Sequence, residues 1–337
     1  MSGKFKERGL SKFVDFKPIY STKKGDAYCE DSLKILRSLP DSSVNLVLTS
    51  PPFALRRKKS YGNVSAEKYG DWIWPFAKEI RRVLRKNGSF VLDIGGSWNE
   101  GEPTRALYHF DLLLRLCNSE SGLFKLAQEF YWYNPAKMPA PAQWVTIERI
   151  RVKDAINPIW WLGKSKKPKA SNRRILKPYS KSMEDLFSRG YNKGPRPSGH
   201  VVSEKWGKRQ AGAIPPNLII AANTKSKDAY IQACRKYGIE VHPARFVRAI
   251  PEFFIKFLTR PGDLVLDIFS GSNVVGEVAE SLDRRWISVD INLDYVIGSA
   301  FRFDGIGESV YKREIMNLSK KRSGIQKGGS HTQDLNN

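Results

Sequence analysis

The sequence is poor in cysteine and has no long apolar run. Its 337 residues include three cysteines, Cys29, Cys117 and Cys234, which are widely separated and form no C-x-x-C pair. This spacing supports neither a disulfide framework nor a zinc site, and it is typical of small buried side chains in a reducing compartment. No apolar run approaches membrane-spanning length, and the stretch MSGKFKERGLSKF lacks the apolar centre of a signal peptide. We therefore expect a cytoplasmic protein with no membrane segment and no metal centre.

Acidic residues are also scarce. The chain has 57 Lys and Arg against 34 Asp and Glu, a formal charge of +23. This charge exceeds what solubility requires, and it is clustered: the stretch KSKKPKASNRRILKPYSK holds eight cations and no acid. Such clustering indicates a polyanionic partner. A cationic surface with no partner is the alternative that composition leaves open.

Apolar periodicity divides the chain into parts. Residues 1–162 contain alternating strand and helix patterns: SVNLVLTS predicts a strand ending at Ser50, residues 67–87 a helix, SFVLDIGG a strand, and GLFKLAQEFYWYN a helix followed by a strand. Residues 163–211 are basic, rich in Pro, Gly, Ser and Asn, and predicted to be largely irregular. Residues 212–318 return to a strand and helix pattern, and residues 319–337 are expected to form a frayed tail.

The stretch DLVLDIFSGSNVVGEVAESLDRRWISVD predicts a strand, a turn, a helix and a second strand. Its turn lacks the full G-x-G-x-x-G pattern of dinucleotide sites, because only Gly271 and Gly276 are present. Asp267 at the strand end would repel a pyrophosphate, which argues against a dinucleotide oxidoreductase. A cationic nucleoside such as S-adenosyl-L-methionine fits better, with Asp290 accepting hydrogen bonds from ribose hydroxyls. An ordinary strand–turn–helix with a capping Asp is the alternative.

The motif TSPPF ends a strand predicted in the same sheet. Pro51 and Pro52 fix the backbone and remove two donors, which leaves carbonyl acceptors and the Ser50 hydroxyl at a rigid edge. Such acceptors could draw an exocyclic amino group toward tetrahedral geometry, and Phe53 could stack on an extruded base. A simple Pro-Pro turn is the alternative. The absence of a Pro-Cys nucleophile argues against methylation at carbon 5.

Together these stretches resemble the amino-methylating DNA methyltransferases of the circularly permuted β arrangement, in particular the cytosine-N4 type. The matched stretches span residues 26 to about 304 and are EDSLKILRSLP, LTSPPFALRRKKSYGN, GSFVLDIGG, FYWYNPAKMP, RVKDAINPIWW, RPSGH, IPPNLI, HPARF, PEFFIKFLT and LVLDIFSGSNVVGEVAE. The resemblance implies an α/β, Rossmann-like sheet that binds S-adenosyl-L-methionine, with residues 163–211 inserted as a basic target-recognition region.

The resemblance also implies site residues. The catalytic residues are Ser50, Pro51, Pro52 and Phe53. The cofactor-binding residues are Asp31, His242, Pro243, Arg245, Asp267, Phe269, Gly271, Ser272, Asn273 and Asp290. The residues expected at double-stranded DNA are Arg56, Arg57, Lys58, Lys59, Lys164, Lys166, Lys167, Arg173, Arg174, Arg196 and His200.

Several alternatives stay open. Transfer to adenine N6 uses the same fold, although Ser at the first position of SPPF is typical of cytosine-N4 members. A non-catalytic, basic DNA-binding module is a further alternative. Tyr131, Trp132 and Tyr133 suit a buried strand and a base-pocket wall equally well, whereas the aromatics of DWIWPF are expected in the core. Either a monomer or a homodimer would suffice, and a companion restriction nuclease is expected genetically rather than as a bound partner.

Overall fold

The computed structural model describes residues 14–54, 64–118, 120, 122–190, 194–195, 197–199, 201–202, 208–224 and 228–328. The strands are β1 (Tyr20–Ser21), β2 (Gly25–Cys29), β3 (Val44–Thr49), β4 (Leu84–Asp93), β5 (Ser97–Trp98), β6 (Arg105–Ala106), β7 (Lys125–Tyr133), β8 (Ile156–Gly163), β9 (Gly194–Pro195), β10 (Val201–Val202), β11 (Leu218–Ile220), β12 (Leu264–Asp267) and β13 (Arg285–Asp290). The helices are α1 (Ser32–Ser38), α2 (Ala66–Val83), α3 (Tyr108–Cys117), α4 (Lys181–Arg189), α5 (Ala229–Tyr237), α6 (Ala249–Leu258), α7 (Val274–Ser281), α8 (Leu293–Ser299) and α9 (Gly307–Gly328). None of these described helices is both long and apolar enough to cross a membrane.

Within the described ranges, nine strands form one sheet in the order β1-β2-β13-β12-β3-β4-β8-β7-β11. The five strands from β2 to β4 are parallel, whereas β8 runs against both of its neighbours. The strand–helix–strand unit β12-α7-β13 is confirmed as predicted. It lies beside β3, so the two halves of the chain share one sheet.

Helices cover both faces of the sheet, and alternate residues of β3 show how. Val47 packs in the apolar cluster on the α1 and α2 face, whereas Leu46 and Leu48 pack in the cluster on the α6 and α7 face. All three side chains are fully buried. This period of two is the pattern of a strand covered on both sides, and it gives three layers of secondary structure.

Three predicted elements differ from the structure. The helix predicted over 67–87 ends at Val83, and β4 then begins at Leu84, so Asn87 and Gly88 lie in a strand rather than at the helix end. The helix predicted before FYWY is wrong, because β7 occupies Lys125–Tyr133. Helix α9 continues to Gly328, past the position where the frayed tail was expected. The described part of residues 163–211 contains α4, a short 3₁₀ turn and the two-residue strands β9 and β10, in otherwise irregular backbone.

Parallel strands give the sheet two different edges. Thr49, Asp93, Asp267 and Asp290 are the last residues of β3, β4, β12 and β13, and they define the carboxyl edge. The opposite edge, where these strands begin, is the amino edge. Ligands of open α/β sheets bind at carboxyl ends of strands, next to a point where the strand order reverses.

The reversed strand β8 connects the two edges. It pairs with β4 so that Ile159 lies opposite Asp93 and Gly163 lies opposite Ser89. The chain therefore enters β8 at the carboxyl edge and leaves it at the amino edge. Seven residue steps at about 3.3 Å each separate its ends by about 23 Å.

A buried hydrogen bond joins the two halves at the carboxyl edge. The Thr49 hydroxyl donates to Asp267 Oδ1 at 2.6 Å, and the Phe269 amide donates to the same oxygen at 3.1 Å. Thr49 and Asp267 are both about 1% exposed. Burial raises the pKa of Asp267 to about 7. The bond holds the end of β3 against the start of the glycine turn that follows β12.

Replacing Thr49 with Val should therefore destabilise the protein. The change keeps the side-chain volume and removes the donor, which leaves a buried carboxyl oxygen with fewer partners. We expect the free energy of unfolding to fall by about 1–3 kcal/mol, measured by urea denaturation. The control Thr49→Ser retains the hydroxyl and should retain most of that stability. Equal losses in both variants would assign the effect to methyl packing rather than to the hydrogen bond.

Candidate functional site

A cavity of about 260 Å³ opens at the carboxyl edge. It lies where β3, β12 and β13 end, and it combines residues from both halves of the chain. Its walls are formed by Asp31, Ser32, Ser50, Pro51, Pro52, Phe53, Trp72, Phe76, His242, Ala244, Ile268, Phe269, Asp290 and Ile291. The four predicted catalytic residues and four of the predicted cofactor-binding residues thus line one cavity.

The SPPF motif leaves β3 directly into this cavity. The Ser50 hydroxyl donates to Asp93 Oδ2 at 3.2 Å. Because its hydrogen is directed at Asp93, the lone pairs of Ser50 Oγ are available to accept a hydrogen bond. The Pro52 carbonyl accepts a hydrogen bond from the Tyr69 hydroxyl at 2.9 Å. The motif is therefore fixed by α2 at one point and by β4 at another.

Asp93 is a site residue that the sequence analysis did not identify. It ends β4, it is 3% exposed, and burial raises its pKa to about 7. Hydrogen bonds from Ser50 and Asn157, together with the charge of Lys137, act in the opposite direction. The available signal was the DIGG sequence, since an acid at a strand end also marks Asp267 and Asp290. A carboxyl group with this pKa can exchange a proton near neutral pH.

The Phe53 ring is held against glycine. A Cβ on Gly95 would lie 2.5 Å from Phe53 Cε2 and 2.6 Å from Cδ2. The Gly95 carbonyl accepts a hydrogen bond from the Tyr108 hydroxyl. The close approach of backbone to ring fixes one side of Phe53, while the ring itself lines the cavity.

Asp290 presents a carboxylate to the same cavity. Its Oδ2 accepts the Gly271 amide at 2.7 Å, and its Oδ1 accepts the Asn292 amide at 2.9 Å. Burial raises its pKa. Each carboxylate oxygen has two lone pairs, so both oxygens keep capacity for a ligand hydroxyl. Gly271 has a φ of 48°, and a Cβ there would lie 2.8 Å from the His242 ring, so the turn requires glycine.

The other predicted cofactor-binding residues divide into two groups. Asp31 lines the cavity and also caps α1, accepting the Leu33 amide at 2.7 Å. His242 lines the cavity, and burial lowers its pKa to about 4, so the ring is neutral at pH 7. Arg245 donates to the His242 carbonyl at 3.1 Å and faces a separate cavity of about 800 Å³. Exposed Pro243 belongs to neither cavity.

Ser272 and Asn273 do not reach the cavity, contrary to the prediction. Both are buried, and Asn273 caps α7 by accepting the Gly276 amide at 3.0 Å. Its amide also donates to the Tyr20 hydroxyl at 2.9 Å. These contacts use the Asn273 side chain inside the fold, where it caps α7. Asp267 likewise lies beneath the turn rather than in the cavity wall.

Aromatic residues of DWIWPF form part of the cavity, although the sequence analysis assigned them to the core. The Trp72 and Phe76 rings lie 5.6 Å and 5.3 Å from the Phe269 ring, between centroids. This apolar wall is assembled from α2 and the glycine turn. The two elements are far apart in sequence, which is why local periodicity indicated only burial.

The aromatics of β7 are strand residues. Trp132 is 9% exposed, and its indole N–H donates to the Ala221 carbonyl at 2.9 Å. Tyr131 is exposed. Neither residue, nor Tyr133, lines the cavity. The three aromatics are therefore strand residues outside the cavity wall, and of the three only Trp132 is buried.

Five cations assigned to DNA binding lie at the amino edge instead. They follow the end of β8 and are Lys164, Lys166, Lys167, Arg173 and Arg174. The Lys164 ammonium donates to the Leu84 carbonyl at 2.6 Å, where β4 begins. The Arg174 guanidinium donates to the Phe257 carbonyl at 2.6 Å, near the end of α6. The antiparallel course of β8 carries this segment away from the cavity, so the structure does not bring these cations to it.

Six further predicted DNA-binding residues lie outside the described residues. They are Arg56, Arg57, Lys58, Lys59, Arg196 and His200.

Comparison with known proteins agrees with this geometry. The family model described as "DNA methylase" matches residues 44–300. The chain belongs to the DNA methylase family. It is 48% identical over 290 residues to the Type II methyltransferase M.PvuII of Proteus hauseri, covering 85% of this chain and 86% of that protein. It is 24% identical to the DNA adenine methyltransferase YhdJ of Escherichia coli (strain K12), covering 87% of each.

A solved structure matches the whole fold. The PvuII DNA methyltransferase, described as cytosine-N4-specific, superimposes with a TM-score of 0.72 at 42% identity, over 89% of this chain and 95% of that one. The α/β fold and the circularly permuted order of the two halves are therefore those of a methyltransferase sheet.

The contact between Gly95 and Phe53 predicts a selective effect of Gly95→Ala. The new methyl group must displace the Phe53 ring, and misplacement of a site residue by about 1 Å can cost up to about 100-fold in rate. We expect DNA methylation to slow by about tenfold or more. Gly96→Ala is the matched control, because its Cβ would meet the far end of the Arg105 side chain, which can move, and His109 Cε1 at 3.3 Å, rather than Phe53. Equal rates in the two variants would contradict a positioning role for Gly95.

Proposed function

We propose that this DNA methylase transfers a methyl group from S-adenosyl-L-methionine to the exocyclic N4 of a cytosine extruded from a short duplex site. The observation that carries the proposal is the hydrogen bond to buried Asp93 from Ser50, which lines the same cavity as Asp290. Ser at the start of SPPF supports cytosine over adenine, and so does the similarity to a cytosine-N4-specific enzyme.

The chemistry requires an activated amine. The lone pair of an exocyclic amino group is delocalised into the ring, which makes it a poor nucleophile. An N–H donated to Ser50 Oγ would localise that lone pair and direct it away from the ring plane. Phe53 offers its ring for stacking the extruded base. Orientation of this kind supplies much of the rate in transfers between two bound reactants.

The amine must also lose a proton as the new N–C bond forms. The Ser50 hydroxyl lies between the position of the amine and Asp93. Ser50 can accept the departing proton while it passes its own to the carboxylate. The pKa of Asp93, about 7, allows the carboxylate to act as the final acceptor near neutral pH. No cysteine nucleophile and no covalent intermediate are needed.

The cavity residues fit the methyl donor. When bound, S-adenosyl-L-methionine supplies an electrophilic methyl group on a sulfonium centre. Asp290 would accept hydrogen bonds from the ribose hydroxyls, and the apolar wall of Phe269, Trp72 and Ile291 would cover the adenine. The neutral His242 ring adds no positive charge beside a cationic ligand. Gly271 holds the turn against His242 at the methionine end.

We extend the proposal to the biological setting. The similarity to a Type II methyltransferase supports modification of a specific DNA site, which would protect that DNA from a companion restriction nuclease. The nuclease would be linked genetically and need not bind the enzyme. A monomer contains the whole described cavity, so one chain suffices for each strand modified, although a homodimer is compatible with it.

Nucleoside analysis tests the proposal directly. Purified protein is incubated with S-adenosyl-L-methionine and unmethylated genomic DNA, which is then digested and analysed by mass spectrometry. N4-methyl-2′-deoxycytidine is the expected product, and sequencing of modified positions gives the target site. N6-methyladenine would keep the mechanism and overturn the base assignment. The absence of any methylated nucleoside would overturn the proposed function.

The Ser50–Asp93 pair predicts a pH dependence. Asp93 must be ionised to accept the proton, so the rate of methyl transfer should rise as pH increases through about 7 and then level off. Asp93→Asn keeps an acceptor for Ser50 but cannot take the proton. We expect it to lose this rise and to slow transfer by about 100-fold. Ser50→Ala should slow transfer comparably while leaving cofactor and DNA affinity nearly unchanged.

Because Asp267 also has a pKa of about 7, the Asp93→Asn variant is needed to assign the pH dependence to Asp93. If the rise near pH 7 persists in Asp93→Asn, the titrating group lies elsewhere and the relay is wrong.

Asp290 is predicted to act on cofactor affinity alone. Asp290→Ala removes charge-assisted hydrogen bonds worth about 1.5–3 kcal/mol, which corresponds to about 10- to 100-fold weaker binding. Equilibrium dialysis with labelled S-adenosyl-L-methionine measures this, and DNA affinity should change little. Asp294→Ala, an exposed acid on α8, is the control. An unchanged dissociation constant in Asp290→Ala would remove the assigned role.

A further inference from the structure

The loop between β7 and β8, residues 134–155, rises from the edge that holds the cavity. Its base is closed by a hydrogen bond from the Asn134 amide to the Ala155 carbonyl at 2.9 Å. Tyr133 lies opposite Ile156 at its root. The same strand β8 pairs Ile159 with Asp93. This loop therefore adjoins the reactive pair, unlike the basic segment after Gly163.

The β7–β8 loop is internally braced. The amides of Ile150 and Arg151 both donate to the Trp144 carbonyl, at 2.9 and 3.1 Å. The Lys153 ammonium donates to the Pro135 carbonyl at 3.1 Å. Asp154 forms an ion pair with Arg105, outside the loop. These bonds define one conformation in a segment that is exposed over most of its length.

The outer turn of this loop, residues 147–152, alternates apolar and charged side chains. Ile147, Ile150 and Val152 are 68%, 48% and 87% exposed. Arg149 is exposed between them, with a φ of 58°, a left-handed conformation that is uncommon for a residue other than glycine. Arg151 is also exposed, and it braces the turn by donating to the Pro103 carbonyl at 3.1 Å.

The exposed apolar and charged side chains of the 147–152 turn suit contact with a DNA duplex from which a base is being extruded. Single exposed apolar residues are ordinary, but this turn has three in six residues, in a backbone held by hydrogen bonds. Arg149 and Arg151 lie among them together with the exposed Glu148, which accepts a hydrogen bond from the Gln143 side chain at 2.6 Å. The turn therefore presents an apolar surface with a net positive charge. Phosphates complement the arginines. Proteins that distort DNA insert aliphatic side chains between bases and recover the lost stacking in part. Extrusion of a base into the cavity leaves such a gap in the duplex.

We propose that the 147–152 turn contacts the duplex at the extruded base, with Arg149 on a flanking phosphate and Ile147 and Val152 packed against the bases that extrusion unstacks. This inference rests on the proposed function. It assigns to the β7–β8 loop a DNA contact that the sequence analysis did not include among Arg56 to Lys59 or in residues 163–211.

The test separates base extrusion from chemistry. Two duplexes carry the target site mapped for the wild-type enzyme: one fully paired, and one with an abasic position opposite the target base, so that this base is already unpaired. Single-turnover methylation is measured on each for the double variant Ile147→Ala, Val152→Ala. We expect about tenfold slower methylation of the paired duplex and less than about twofold on the abasic one. Leu114→Ala is the control, since Leu114 on α3 is 68% exposed, as Ile147 is.

The rates on the two duplexes distinguish a role in base extrusion from a role in the chemical step. An unchanged rate on the paired duplex, or equal slowing on both duplexes, would overturn the proposal, because the side chains would then act nowhere or act in the chemical step. If the wild type methylates neither duplex, the proposed function itself fails, and the inference falls with it.

The salt dependence of duplex binding tests the proposed contact between Arg149 and a phosphate. Arg149→Ala should weaken duplex binding and reduce the slope of log affinity against log salt by about 1. Arg260 is an exposed cation in the connection between α6 and β12, at the amino edge. Arg260→Ala should leave the slope unchanged. A slope that is the same in Arg149→Ala and wild type would contradict the phosphate contact.

Discussion

The buried hydrogen bond from Thr49 to Asp267 is the contact on which the site depends. It joins residues 218 positions apart in the chain and fixes β3 against β12 at the edge where both strands end. Ser50 follows Thr49 directly, and Phe269 follows Asp267 by two residues. Once these strand ends are aligned, the SPPF motif and the glycine turn must lie at one cavity. A permuted order of the two halves is tolerated because the alignment is made across the sheet, not along the chain.

Three carboxyl groups stand at this edge, and their neighbours give them different roles. Asp267 is bonded to Thr49 and to a backbone amide, and it supports the turn from beneath. Asp290 accepts two backbone amides and keeps lone pairs for a ligand. Asp93 is bonded to Ser50, the hydroxyl nearest the proposed reaction. Burial raises the pKa of each. The same strand-end position thus provides a brace and, in the proposed mechanism, a ligand site and a proton acceptor.

Much of this could be predicted from sequence where a local pattern determines the structure. The strand–turn–helix around Gly271 and the strand before Ser50 were both readable from apolar runs and turn residues. Asp93 could have been identified in the same way, as an acid at the end of a predicted strand. Trp72 was not, because its cavity position depends on packing of α2 against a distant turn. Asn273 lies in an apparent cofactor-binding motif, yet its side chain caps α7. Patterns report an element's identity better than the direction of a side chain.

The antiparallel direction of β8 accounts for the largest difference between the predicted and the observed site. A basic segment in the expected place along the chain suggested DNA contacts after Gly163, and local composition gives no sign that β8 is antiparallel. Reversal of β8 exchanges the ends of its two connections: Lys164 follows it to the amino edge, and Asn134 begins a loop at the carboxyl edge. Among the described residues, we therefore propose the 147–152 turn as the basic segment that meets a base entering the cavity, although it has fewer cations than the segment after Gly163. Position relative to the sheet edge, rather than cation density, decides which basic segment can act with Ser50 and Asp93.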